Sequence, residues 1–141
     1  MKRILVGVDG SKESRDAVKF AADIARAIEA QLVIASAVPG VSAIEGAPEL
    51  VARAEEWAQK EREQATALVK EIASKVEKGI VVETLVLSGP AALALADQAR
   101  AGDVDLVAVG HRGRNAVARA LLGSVADRLV QISPKPVLVV R

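Results

Sequence analysis

Five short runs of nearly uninterrupted apolar residues punctuate the chain: Ile4 to Val8, Leu32 to Val38, Ile80 to Leu87, Val104 to Val109 and Val137 to Val140. All are rich in β-branched side chains and lack the strict alternation of a strand with one wet face, as expected of strands buried on both faces of a parallel sheet. The intervening segments carry the helical period instead. Residues 12 to 29 set Ala17, Phe20, Ala21, Ile24 and Ile28 on one face, with Ser11 as N-cap and Glu13 and Asp16 in the first turn. A longer segment, Glu49 to Lys78, spaces Leu50, Ala54, Trp57, Ala65, Leu68, Ile72 and Val76 helically, with a break at Glu61 and a stop at Gly79. Pro90 suits the first turn of a third helix running through Ala92, Leu95 and Ala99 to Gly102, and a fourth starts near Ser124 and ends before Pro134.

Strands alternating with helices imply right-handed βαβ crossovers and a three-layer α/β sandwich over a five-stranded parallel sheet. An order of 3-2-1-4-5, the Rossmann-like winding, puts the reversal point between strands one and four, where open sheets take their ligands. Strand one ends at Asp9-Gly10-Ser11 and strand four at Gly110, so two distant turns would face one crevice. Asn115 to Leu122 is expected to form a short helical turn, and Val38 to Pro48, with its prolines and glycines, a mobile flap. No internal repeat or linker is visible, so residues 1–141 are expected to form one domain.

Gly110-His111-Arg112-Gly113, followed after nine residues by Gly123-Ser124, joins an apolar strand to a helix start, as phosphate sites do. Glycine after the strand offers positive φ and lets amides approach an anion, and Ser124-Val125-Ala126-Asp127 has capping-box spacing. Arg112, Arg114 and Arg119 fall between Asp105 and Asp127 with no acid among them, on a chain whose net charge is only +1. A local basic loop on a neutral protein favours a small anion over nucleic acid, which needs a broad basic face.

Composition narrows the chemistry further. There are no cysteines and one histidine, which excludes disulfides, thiolate zinc sites and a Cys nucleophile, and leaves His111 without a matching nucleophile as a catalytic base. Phe20 and Trp57 are the only aromatics, so a bound base would rest on aliphatic side chains and backbone. The N-terminal apolar run is too short for a signal peptide or membrane span, and a soluble, cytoplasmic protein is expected.

Val6-Gly7-Val8-Asp9-Gly10-Ser11, the G-x2-G-x9-G-S pattern and the ending Pro134-Lys135-Pro136-Val137-Leu138-Val139-Val140 together resemble the universal stress protein family, in its ATP-binding branch. The resemblance implies an adenine nucleotide alpha hydrolase-like fold and a nucleotide-binding regulator holding ATP, with Mg²⁺ carried on the phosphates. Asp9 would contact the ribose or adenine side, and the Ala37 backbone would read the adenine edge. Gly110, Arg112 and Gly113 would wrap the phosphates, and Gly123, Ser124 and Val125 would complete the cradle. Gly10, Ser11 and Arg114 are further candidates from the two turns and the basic loop. Arg112 stands where the family often has histidine, and Ala126 where it often has Ser or Thr. A homodimer through the edge strand Val137 to Val140 is also implied. The alternatives are a slow ATPase or phosphotransferase, and a dimeric adaptor with a vestigial pocket.

Overall fold

The computed structural model describes residues 1–40, 47–112 and 122–141. The elements alternate as β1 (Arg3–Gly7), α1 (Lys12–Ile28), β2 (Gln31–Val38), α2 (Pro48–Ser74), β3 (Val82–Ser88), α3 (Ala91–Ala101), β4 (Leu106–Gly110), α4 (Ser124–Ile132) and β5 (Val137–Val140). All four strand pairings are parallel, and the order is β3-β2-β1-β4-β5. The expected winding is therefore the observed one. The helical turn expected at Asn115 to Leu122, apart from Leu122 itself, and most of the expected flap lie outside the described residues.

Strand geometry sends successive side chains to opposite faces, and the sheet uses this to build two cores. Ile4, Val6, Leu32, Ile34 and Ala108 pack on one face against α1 and α2, through Ala17, Val18, Ala21, Ala25, Val69 and Ile72. Leu5, Val33, Ala35, Val107 and Val109 pack on the other against α3 and α4, through Leu95, Ala96, Ala99 and Leu129. This makes a three-layer sandwich with near-continuous apolar strands at its centre.

The helix faces match the sequence expectation in part: Ala17, Ala21, Ala65 and Ile72 are buried, but Phe20, Ile28, Leu50 and Trp57 are not. The buried side of α1 is Ser14, Ala17, Val18, Ala21, Ala22 and Ala25, whereas Phe20 and Ile28 are 52% and 43% exposed. Alanine lets a helix settle close to a sheet that is itself filled with Val and Ile, so the small residues, not the largest apolar ones, mark the contact. In α2, Leu50 and Trp57 are half-exposed, the buried residues are Ala65, Val69 and Ile72, and the helix ends at Ser74 rather than Lys78. Only its second half seats on the sheet. The predicted third strand begins late, at Val82, and Val81 is solvent-exposed.

The end of the sheet away from the strand C-termini is closed by a polar network. Asp105 Oδ2 accepts from the backbone N–H groups of Lys2 and Arg3 at 2.7 and 3.1 Å. Arg3 donates from Nη1 to the Gly102 carbonyl at 2.8 Å and from Nη2 to Glu83 Oε2 at 2.7 Å. These amide donors, Lys2 first and Arg3 second, hold the Asp105 carboxyl below its ordinary value of 3.8. A carboxyl lowered on folding stabilises the fold while ionised, above the unfolded-state value, and loses that contribution as pH falls through the folded one. Asp105→Asn is therefore expected to lower the melting temperature at neutral pH, with the gap from the parent closing on acidification below about pH 4. Melts at a series of pH values check this; a gap that stayed constant down to about pH 3 would contradict it.

Candidate functional site

A cleft of about 590 Å³ opens at the carboxyl ends of β1, β2 and β4, where the winding of the sheet reverses. Its size falls within the roughly 300–1,000 Å³ usual for small-molecule sites. Three turns form its walls, each directly after a strand.

The first turn follows β1. Asp9 Oδ1 accepts from Ser11 N–H at 2.9 Å, and Gly10 takes a φ of 87°, which reverses the chain into α1. Ser11 caps that helix by accepting from Ser14 N–H at 3.2 Å. The buried Ser14 hydroxyl donates to the Ser11 carbonyl at 2.9 Å and lies 3.4 Å from the Asp9 N–H, which donates to it. The Asp9 backbone is thereby fixed from two sides, with its side chain at the cleft wall.

The second turn follows β4. Gly110 lies against the start of α1: a Cβ there would stand 2.7 Å from the Glu13 carbonyl carbon and 2.9 Å from its oxygen. Its φ is not in the left-handed region, which among the described glycines holds Gly10, Gly79 and Gly89. Glycine at 110 is thus required for close packing and not, as its place after the strand suggests, for positive φ. His111 then ties this turn to β5 and to the start of α4, donating its N–H to the Val140 carbonyl at 2.6 Å and accepting at its own carbonyl from Gly123 N–H at 2.8 Å. These bonds set the Gly110 turn beside the start of α4 although eleven residues separate His111 from Gly123.

The start of α4 also departs from expectation. Gly123, not Ser124, is the N-cap residue, Ser124 is the first helical residue, and among the described residues no side chain caps the helix. The capping box expected from Ser124 and Asp127 is not formed, because its serine sits one position too far along. The first-turn amides of α4 and the Ser124 hydroxyl are thus left at the cleft wall, where a helix N-terminus favours negative charge.

The third turn, after β3, was not singled out from the sequence. Gly89 has a φ of 108° and donates its N–H to the Val38 carbonyl at 2.8 Å. Pro90 is the N-cap of α3, which again has no side-chain cap. Two uncapped helix starts therefore border the same cleft. Between them lies Ala37, beyond the last β1–β2 pair, Gly7 with Ala35. Backbone groups at Ala37 that would pair with β1 in a longer strand open toward the cleft instead.

Of the residues expected from the sequence, Asp9, Ala37, Gly110, Arg112, Gly123, Ser124 and Val125 line this one cleft. Gly10 and Ser11 do not: the turn at Gly10 points toward Leu68, and the Ser11 hydroxyl is committed to capping α1. Gly113 and Arg114 lie outside the described residues. Arg112 is not simply presented to a ligand. Its Nη2 donates to Glu13 Oε1 at 2.8 Å, with the two side chains 26% and 24% exposed. Ser14, Gly89, Pro90 and Leu95 also line the cleft and are not marked as site residues by the sequence; the Gly-Pro pair just past the third apolar run is the signal that points to the third turn. Among the described residues no group of three or more His, Asp or Glu side chains is placed to hold a metal ion, and no helix is long and apolar enough to cross a membrane.

The profile of the universal stress protein family matches residues 1–141. The universal stress protein MJ0531 of Methanocaldococcus jannaschii is 35% identical, over 99% of this chain and 82% of that protein. The universal stress protein YxiE of Bacillus subtilis is 33% identical, over 99% and 98%. Among solved structures, UspA from Lactobacillus plantarum superposes with a TM-score of 0.84 at 25% identity, over 99% of this chain and 97% of that one. A universal stress protein solved in complex with cAMP superposes with a TM-score of 0.75 at 30% identity, over the same shares. A parallel sheet wound 3-2-1-4-5 with this cleft at its reversal point, a family profile matched over the whole chain, and relatives matched over 82% and 98% of their own length settle the assignment: the chain belongs to the universal stress protein family.

Proposed function

We propose that the cleft binds an adenine nucleotide, ATP in the first instance, and that the protein is a nucleotide-responsive regulator of the ATP-binding branch. The observation that carries this reading is the meeting, at one end of the cleft, of the Arg112 turn and the uncapped α4 N-terminus. The opposite end, at Ala37 and Gly89, is backbone and small side chains, suited to the flat edge of a base. The cAMP complex of a 30% identical relative supports an adenine ligand. The phosphates would take the amides of Ser124 and Val125 and the loop that starts at Gly110, with Gly113 and Arg114 as its further members. Asp9 would face the sugar. Mg²⁺ would arrive on the phosphates, since the described residues offer no carboxylate cluster for it. Residues 1–141 would act as one domain in the cytoplasm, paired into a homodimer along β5.

The test is isothermal titration with Mg-ATP, ADP, AMP and cyclic AMP, on the parent and on Gly123→Val. Gly123 has φ −62° and ψ 154°, a conformation valine adopts readily, so the substitution obstructs the approach to the α4 amides without straining the backbone. Saturable binding by the parent, weakened about tenfold or more in a folded variant, is expected. Failure of all four nucleotides to bind the parent, or equal affinities in the two proteins, would refute the site.

A further inference from the structure

We infer that Glu13 sets the charge preference of the cleft by holding Arg112, so that a ligand phosphate must displace the Glu13 carboxylate before it can use that guanidinium. This rests on the nucleotide reading above and adds a specificity-determining residue that acts through another rather than by touching the ligand. Three observations converge on it. The Arg112 Nη2 to Glu13 Oε1 bond is 2.8 Å long, and each side chain is only about a quarter exposed, so salt screens it less than a surface pair. Arg112 lines the cleft and Glu13 does not. The carboxylate therefore draws the cation from the side of α1. Finally, the Glu13 backbone packs directly against Gly110, with no room for even a Cβ between them, so this carboxylate is mounted beside the turn that carries Arg112.

While the pair is closed, its two charges nearly cancel and Arg112 adds little attraction for an anion. Opening it frees a charged donor, and the gain grows with the negative charge of the group that takes the donor. Glu13 thus flattens the advantage of a polyphosphate over a singly charged cyclic phosphate. Its removal should restore that advantage, and only when Arg112 is present.

The experiment is titration of cyclic AMP, AMP and ATP into the full chain as four proteins: parent, Glu13→Gln, Arg112→Gln and the double variant. Glu13→Gln should bind ATP about tenfold tighter than the parent, AMP with a smaller gain and cyclic AMP with the least. In the Arg112→Gln background, the same change should alter ATP affinity less than about twofold. Glu13→Asp keeps an acid at the helix start but shortens its reach; it should show the same order of gains at smaller size, and it carries the comparison if Glu13→Gln does not fold. Equal gains for the three ligands, no gain, or a gain that survives without Arg112 would overturn the inference while leaving nucleotide binding intact. A parent protein that bound none of the three would instead remove the nucleotide reading, and this inference with it.

Discussion

Replacing Gly110 with alanine is expected to lower the unfolding free energy by about 3 kcal/mol and the melting temperature by about 10 °C. The added Cβ would come within 2.9 Å of three atoms of Glu13, two of them backbone. Contact with a side-chain tip can be relieved by a rotamer change, but here either the end of β4 or the first turn of α1 must move. Moving α1 disturbs the cap between Ser11 and Ser14 and the bonds that hold Asp9. Moving β4 disturbs the His111 clamp on β5 and Gly123. Chemical or thermal melts of the variant measure the cost directly. An unchanged midpoint would mean that the two elements can separate freely, contrary to the packing described above. Nucleotide affinity should fall together with stability, because the wedge supports two of the three turns around the cleft.

Val139→Pro is expected to convert the proposed homodimer into a folded monomer, raising the dimer dissociation constant tenfold or more, on the order of two lost hydrogen bonds. β5 lies at the edge of the sheet, and its register with β4 pairs Val107 with Val137 and Val109 with Val139. Val107 N–H donates to the Pro136 carbonyl and His111 N–H to the Val140 carbonyl. In a parallel ladder this alternation turns residues 136, 138 and 140 toward β4, and the amides of Val137 and Val139 outward. Proline at 139 thus removes a donor that β4 does not use, as edge strands tolerate. Under a two-fold axis the donor is lost twice, once from each copy. Light scattering at micromolar concentration distinguishes the outcomes. A parent that is already monomeric, or a variant that remains dimeric, would discard pairing through β5.

The strands and their order were legible because buried parallel strands need β-branched, apolar runs, and little else in the chain has that texture. The helix faces were less so. In α1 the spacing marks Ala17 and Ala21 correctly, but it also draws in the exposed Phe20 and Ile28 and passes over the buried Ala22 and Ala25. Val69, buried in α2, went unnoticed between the more regular positions Leu68 and Ile72. At the site, the turns after β1 and β4 were readable as glycine-bearing strand ends. What no local pattern announces is a pair of long-range contacts: the Glu13 carboxylate on Arg112, ninety-nine residues away, and the Glu13 backbone against Gly110. Ser11 is the N-cap of α1, as the sequence indicates, and the lining of the cleft leaves out both it and Gly10. Ser14 was hidden, since a serine inside a helix gives no hint that its hydroxyl bridges the turn before it.

The two bonds at His111 also bear on how such a protein can diversify. The carbonyl of His111 meets the amide of Gly123 and its amide meets the carbonyl of Val140, so the end of β4, the start of α4 and the tip of β5 are joined by main-chain groups alone. Side chains at 111 and 140 can therefore change in a lineage without cost to this join, and only proline at 111 or 123 would remove one of its donors.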